Sequence, residues 1–330
     1  MDKRVAILGS GSWATALAKI VMLNQDHINW YMRKQMAINE FQSTGKNPGY
    51  LTNAKFDTSR ITFSSDINKT VANSDILILA IPSPYVLQSL KKIRRSMANK
   101  TVISAVKGMI PDENMLVTDY IHTHLGVPQD RLAIIAGPCH AEEIALERLS
   151  YLTIGCPNRI YAAELGKLFE TDFVHTTTST DVVGLEYSSV MKNIYAIAAG
   201  LCYSLRYGDN FVAVLISNAI QEIQRFAKAM APDDLHDINA SGYLGDVLVT
   251  AYSKFSRNRQ FGQMIGMGYS VKAAQMEMEM VAEGYYGTRA IHAINEKAHV
   301  DLPIVEAIYD ILFKQLSPTI VIKELTQKLH

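Results

Sequence analysis

Val5-Ala6-Ile7-Leu8-Gly9-Ser10-Gly11-Ser12-Trp13-Ala14 decides how the first half of this chain folds. An unbroken apolar run that stops at glycine is the pattern of a strand buried on both faces, as in a parallel sheet. Residues 12 to 24 (SWATALAKIVMLN) then carry apolar side chains at helical spacing. Gly9, Gly11 and Ala14 match G-x-G-x-x-G/A between strand and helix, the context that separates a dinucleotide fingerprint from a chance turn. The glycines permit a tight turn and close approach of backbone to a pyrophosphate, whose charge is stabilised at the helix N-terminus. Gly9 and Gly11 are therefore candidate cofactor residues, against the alternative of a turn that packs and binds nothing.

Outward from this turn, Ile28 to Met32 reads as a second strand within one strand–helix–strand unit. Further strands are expected at Ile61 to Ser64, Ile76 to Ala80, Thr101 to Ala105, Leu132 to Ala136 and Tyr151 to Gly155, mostly separated by helical patterns. This alternation predicts an α/β fold with a Rossmann-type, doubly wound, mainly parallel sheet. After about Thr177 the texture changes. Val182 to Leu205, Phe211 to Met230, Leu244 to Lys254, Ala273 to Val281, Thr288 to Ala298 and Ile304 to Gln315 all read as helices. The Asp/Ser/Thr cluster at residues 178 to 182 is N-cap chemistry, not a flexible linker. The expected division is a dinucleotide-binding domain over residues 1–180 and an all-helical substrate domain over 181–330.

Composition agrees with two globular domains. The 330 residues are 48% hydrophobic and 19% charged, which excludes disorder. Lys plus Arg and Asp plus Glu number 32 each, so no overall field favours a nucleic-acid or acidic-membrane partner, and an anionic ligand must be held by local charges. Cys139, Cys156 and Cys202 are odd in number and in no C-x-x-C pattern, which argues against a disulfide framework and a structural zinc, so no metal site is expected. Residues 5 to 23 are interrupted by Gly9 to Ser12 and Lys19, with no cleavage site after them, so they are not read as a signal peptide. No other run approaches 20 apolar residues. The expectation is a soluble, cytoplasmic protein with a small-molecule partner, and apolar helical surfaces in the second half make a homodimer plausible.

Several polar residues stand where apolar ones are expected. The second strand ends in Arg33-Lys34 and no carboxylate, where an acidic residue would serve the ribose of NAD(H). That favours NADP(H), although an exposed basic pair looks the same. Lys107 follows a strand and precedes Gly108, at the carboxyl edge where ligands of such sheets collect, although position alone favours a solvated loop lysine. Cys139-His140 is not read as a nucleophile pair, since adjacent side chains on a turn diverge. Lys192 interrupts a helix that is apolar around most of its circumference. Burial would lower its pKa toward neutrality, which suits acid–base work. The competing reading is a structural ion pair with Glu186 or Asp181. Gly245-Asp246, Ser256-Arg257-Asn258-Arg259 and Glu283-Gly284 concentrate the remaining polarity; Arg257 with Asn258 can grip phosphate or carboxylate, or form a solvated turn. Met276 and Met280 fall on one helical face and are read as core.

Taken together, these stretches resemble bacterial NAD(P)-dependent glycerol-3-phosphate dehydrogenase. The similarity runs from Gly9 to Ala18 through Pro82-Ser83, Val106-Lys107-Gly108, Ile135 to Pro138, Met191-Lys192-Asn193, Leu244-Gly245-Asp246, Ser256 to Gly262 and Glu283-Gly284-Tyr285 to Leu302-Pro303. The resemblance implies reversible hydride transfer between NAD(P)H and dihydroxyacetone phosphate, giving sn-glycerol 3-phosphate, a precursor of glycerophospholipids. It implies cofactor contacts at Ser12, Trp13, Arg33, Lys107, Ala141, Arg257, Val281 and Glu283. Substrate would lie among Lys107, Gly137, Cys139, Lys192, Asp246, Ser256, Arg257 and Asn258. Lys192 would exchange the proton, with Lys107 and Asp246 completing the catalytic group.

The chain also departs from the family pattern. Cys139-His140 stands where Ser or Thr followed by Phe is commoner, and Ser217-Asn218 where Thr-Arg is usual, which removes a cation expected near the site. A related hydroxy-acid dehydrogenase, or a nucleotide-binding sensor that has lost turnover, are the alternatives these residues leave open.

Overall fold

The computed structural model describes residues 3–111, 113–232, 236–278 and 281–330. It divides into two compact units, Met1–Val106 with Val117–Val182 and Lys107–Leu116 with Val183–His330.

In the first unit, β1 (Val5–Leu8), β2 (Ile28–Tyr31), β3 (Ile61–Ser64), β4 (Ile76–Leu79), β5 (Thr101–Ser104), β6 (Leu132–Ala136), β7 (Ser150–Gly155) and β8 (Val174–Ser179) form one sheet, ordered β3-β2-β1-β4-β5-β6-β7-β8. Pairing is parallel from β3 through β6; β7 runs antiparallel to β6 and β8 parallel to β7. Between the strands run α1 (Ser12–Asn24), α2 (Gln35–Thr44), α3 (Ile67–Ala72), α4 (Ser83–Leu90), α5 (Val117–Leu125), α6 (Ala141–Ala145) and α7 (Arg159–Gly166). The apolar runs of β1, β4 and β6 are buried along their whole length, as their composition requires. Strand β8 was not expected from sequence. It is an edge strand reading VHTTTS and buries only Val174, so it carries no apolar run to detect.

The order reverses at β1: the chain moves from β1 to β2 and β3 on one side, then crosses to β4 on the other. Ligands of open α/β sheets bind outside the carboxyl end of such a strand. Gly9 occupies that end with φ +135°, and a Cβ there would overlap the Ala80 carbonyl, so the position requires glycine. The Trp30 indole donates to the Gly9 carbonyl at 2.7 Å. Trp30 is in turn held by Phe41, Phe56 and Phe63, with ring centroids at 5.2, 5.6 and 5.8 Å. The turn is thereby pinned to a packed core.

The second unit is helical, with one β-bridge between Ile110 and Met115 among its described residues. Its helices are α8 (Val182–Ser204, which begins on the last residue of the first unit), α9 (Gly208–Met230), α10 (Asp246–Tyr252), α11 (Arg257–Gly266), α12 (Val271–Glu277), α13 (Glu283–Ala298), α14 (Pro303–Leu312) and α15 (Pro318–Leu325). Two expectations are corrected. Residues 257 to 266, open between a phosphate grip and a solvated turn, form a helix capped by Ser256, whose hydroxyl accepts from the Arg259 amide at 3.3 Å. Met276 is 78% exposed, because α12 is a short surface helix that buries only Ala274 and stops at Glu277; Met280 lies outside the described residues.

Helices α8 and α11 cross at glycines. A Cβ on Gly200 would overlap the Arg259 carbonyl, and one on Gly262 the Ile197 carbonyl. This close approach brings the N-terminus of α11 to the middle of α8, where Lys192 and Asn193 lie.

Candidate active site

In the first unit, α1 begins at the glycine turn with Gly11 as its N-cap and no side chain capping it. A Cβ on Gly11 would meet nothing within 4 Å, so there is open space over a helix end that favours negative charge. These features fit a dinucleotide pyrophosphate at the turn that carries Gly9, Gly11, Ser12 and Trp13. Gly137, Cys139 and Ala141 follow β6, and α6 packs on α1, with the Lys19 ammonium donating to the Ala145 carbonyl at 2.9 Å. Cys139 is buried. Arg33 and Lys34 are exposed just past β2, which suits a pair that meets a 2′-phosphate and an ordinary solvated pair alike.

The second unit contains a buried ion pair. Lys192, in α8, is only 2% exposed, and its ammonium bonds to the Asp246 carboxylate on the first residue of α10. The structure thus corrects the expected ion-pair partners, Glu186 or Asp181. Asp246 is equally buried and sits in the first helical turn, where the helix dipole favours a carboxylate. Burial pushes the Lys192 pKa down to about 8; Asp246 pulls it up and the Lys107 ammonium pushes it down further. A buried ion pair is poor evidence for stability, since desolvation of both charges offsets their attraction. A lysine tuned to the working pH is what proton transfer requires.

Around this pair runs a chain of amides. Asn193, next to Lys192, donates to the carbonyls of Lys107 at 2.8 Å and Ser189 at 3.0 Å. Its oxygen accepts from the Asn258 amide at 2.8 Å, and the Asn258 oxygen accepts from the Gly284 N–H at 2.8 Å. Asn258 therefore has a single side-chain N–H left for a ligand. Sequence reasoning passed over Asn193, although the argument applied to Lys192, a polar residue inside an apolar helix, marks it too. Arg257, half-buried at the start of α11, and Glu283, at the start of α13, flank this network in sequence. Val281 is half-buried two residues earlier.

The site residues expected from sequence are shared between the units. Gly9, Gly11, Ser12, Trp13, Arg33, Gly137, Cys139 and Ala141 belong to the first; Lys107, Lys192, Asp246, Ser256, Arg257, Asn258, Val281 and Glu283 belong to the second. Lys107 falls with the helical unit, although it follows a strand of the sheet. Asn218 spends its side-chain amide on the carbonyls of Val214 at 3.0 Å and His330 at 2.9 Å.

Hydride chemistry on a carbonyl needs a dinucleotide and a proton donor, and each unit has the provision for one, which defines the class: a two-unit, nucleotide-dependent dehydrogenase. The chain belongs to the NAD-dependent glycerol-3-phosphate dehydrogenase family, whose N-terminal model matches residues 4–162 and whose C-terminal model matches residues 181–323. The glycerol-3-phosphate dehydrogenase (NAD(P)+) of Oceanobacillus iheyensis is 33% identical over 331 residues, covering 99% of this chain and 94% of its own. That of Bacillus subtilis is 33% identical over 315 residues, covering 94% and 90%. The crystal structure of glycerol-3-phosphate dehydrogenase from Coxiella burnetii matches with a TM-score of 0.90 at 27% identity, over 98% of both chains. No described helix is long and apolar enough to cross a membrane.

Proposed function

We propose that this protein catalyses the reversible NAD(P)H-dependent reduction of dihydroxyacetone phosphate to sn-glycerol 3-phosphate, a precursor of glycerophospholipids. The observation that carries the reading is the buried Lys192–Asp246 pair, with Lys192 tuned to about 8, in a chain of this family. Bound dihydronicotinamide supplies the hydride. Gly9, Gly11, Ser12, Trp13 and Ala141 on the first unit, with Lys107, Arg257, Val281 and Glu283 on the second, hold the cofactor, and Arg33 favours NADP(H) by pairing with its 2′-phosphate.

Arg257, with the remaining Asn258 N–H and Ser256, holds the substrate phosphate, a planar multi-donor grip on the one strongly charged group the substrate offers. Gly137 and Cys139 border the substrate, the thiol standing as a weaker donor than a hydroxyl. In reduction the Lys192 ammonium donates one N–H proton to the carbonyl oxygen as the carbon becomes a carbinol, and the lysine is left a neutral amine. Asp246 orients that ammonium, and Lys107 adds positive charge where negative charge develops on oxygen. In oxidation the neutral amine accepts the hydroxyl proton. The domains expected from sequence take the main roles: residues 1–180 chiefly bind nucleotide and 181–330 chiefly bind substrate, with Lys107, before the boundary in sequence, grouped with the helical unit.

A cytoplasmic location and assembly as a homodimer are part of the same proposal. The odd number and wide spacing of Cys139, Cys156 and Cys202 are what support a reducing compartment. The test is steady-state oxidation of NADPH and NADH by the purified chain with dihydroxyacetone phosphate, together with Lys192→Ala. Turnover that falls by about two or more orders of magnitude in the variant while NADPH still binds supports the reading. Near-normal turnover removes Lys192 as proton donor. Turnover of 2-keto acids in place of dihydroxyacetone phosphate makes the protein a hydroxy-acid dehydrogenase, and NADPH binding without any turnover makes it a sensor. A monomeric mass by light scattering removes the homodimer.

A further inference from the structure

We propose that Asn193 is a positioning residue for Lys192: joined through Asn258 to the start of α13, it holds the Lys107 backbone so that the Lys107 ammonium stands against that of Lys192. Four hydrogen bonds carry the inference. Asn193 gives one N–H to the Lys107 carbonyl and the other to the Ser189 carbonyl, and its oxygen receives Asn258. Asn258 in turn receives the Gly284 amide. Neither amide can be flipped. Turning Asn193 over would set its oxygen against two carbonyls and its N–H against the Asn258 N–H, and Asn258 must face an oxygen to the Gly284 N–H. Both side chains are buried, at 4% and 7% exposure, so the chain of bonds is shielded from water.

The latch joins four pieces of the second unit: the segment 107–116, α8, α11 and α13. At Lys107 it ties to α8 the first residue of a segment whose neighbours in sequence belong to the other unit. The charged groups acting on Lys192 are Asp246 from α10, which favours the ammonium, and Lys107, which disfavours it. Cutting the latch lets Lys107 withdraw. Lys192 then loses a repulsion and keeps its carboxylate, so it stays protonated to higher pH.

The inference rests on Lys192 being the proton donor, and the experiment separates the two. The pH profile of kcat/KM for dihydroxyacetone phosphate reduction is measured for the full chain, Asn193→Ala, Asn258→Leu, Lys107→Met and the Asn193→Ala/Lys107→Met double variant, with thermal melting of each. In Asn193→Ala the basic limb moves upward by roughly half to one pH unit. Asn258→Leu, which cuts the same chain from its other side, moves it in the same direction and serves if Asn193→Ala does not fold. Lys107→Met also moves it upward, and adding Asn193→Ala to Lys107→Met moves it no further. A merely structural asparagine would lower the melting temperature and leave the limb in place. Limbs of Asn193→Ala and Asn258→Leu at the wild-type pH, or an additive shift in the double variant, overturn the latch. Lys192→Ala retaining turnover overturns instead the proton-donor reading on which it stands.

Discussion

Asp246→Asn isolates the electrostatics of the site, because it removes a charge and almost no volume. With both groups 2% exposed, Asp246 is the carboxylate that keeps the Lys192 ammonium charged against burial and against Lys107. A pair of unit charges at about 4 Å and an effective dielectric of about 20 interacts by on the order of 4 kcal/mol. At about 1.36 kcal/mol per pH unit this is roughly three units. Lys192 stands at about 8 with the carboxylate present. The asparagine variant should therefore titrate near roughly pH 5. At pH 7 the protonated fraction falls from about nine-tenths to about one-hundredth. Reduction of dihydroxyacetone phosphate, followed by loss of NADPH absorbance, should then be slower by about two orders of magnitude in kcat/KM at pH 7, and by only about twofold at pH 5. Oxidation of glycerol 3-phosphate, which needs the neutral amine, should keep its rate to lower pH than in the wild type. A loss of equal size at every pH, or a basic limb that stays near 8, would refute the reasoning and leave Asp246 a packing residue.

Arg257→Ala should raise KM for dihydroxyacetone phosphate by roughly tenfold to a hundredfold, the worth of a charge-assisted hydrogen bond, and an unchanged KM counts against the phosphate grip. Arg33→Asp should move preference from NADPH toward NADH, read as the ratio of the two kcat/KM values; no movement means the exposed Arg33 does not meet the 2′-phosphate. Gly262→Ala should force α11 away from α8, since its Cβ would overlap the Ile197 carbonyl. Overpacking of about 1–3 kcal/mol corresponds to a melting temperature lower by roughly 2–12 °C, and an unchanged melting curve would show that the crossing relaxes freely.

Residues 5 to 14 and the runs after them were enough to place seven strands and a doubly wound sheet, most plainly β1, β4 and β6, which are buried along their whole length and apolar at every position. The same physics hid β8, an edge strand whose threonines face partly outward, and the antiparallel direction of β7, which no local pattern encodes. Lys192 was legible because a charge inside an apolar helix violates burial preference, and any such violation asks for a reason. Its partner was legible only through the family resemblance, which placed Asp246 in the same catalytic group. Glu186 and Asp181 were nearest in sequence, but Asp246, 54 residues away, is the acid that helix packing brings to the ammonium. Asn193 and Asn258 read separately as polar residues on different helices, and only the glycine crossing of α8 and α11 makes them one hydrogen-bonded chain. Periodicity and composition act along the chain and so determine which residues are strand, helix, turn or buried charge. Which charges and amides meet depends on contacts between segments far apart in sequence, and those exist only once the helices have packed.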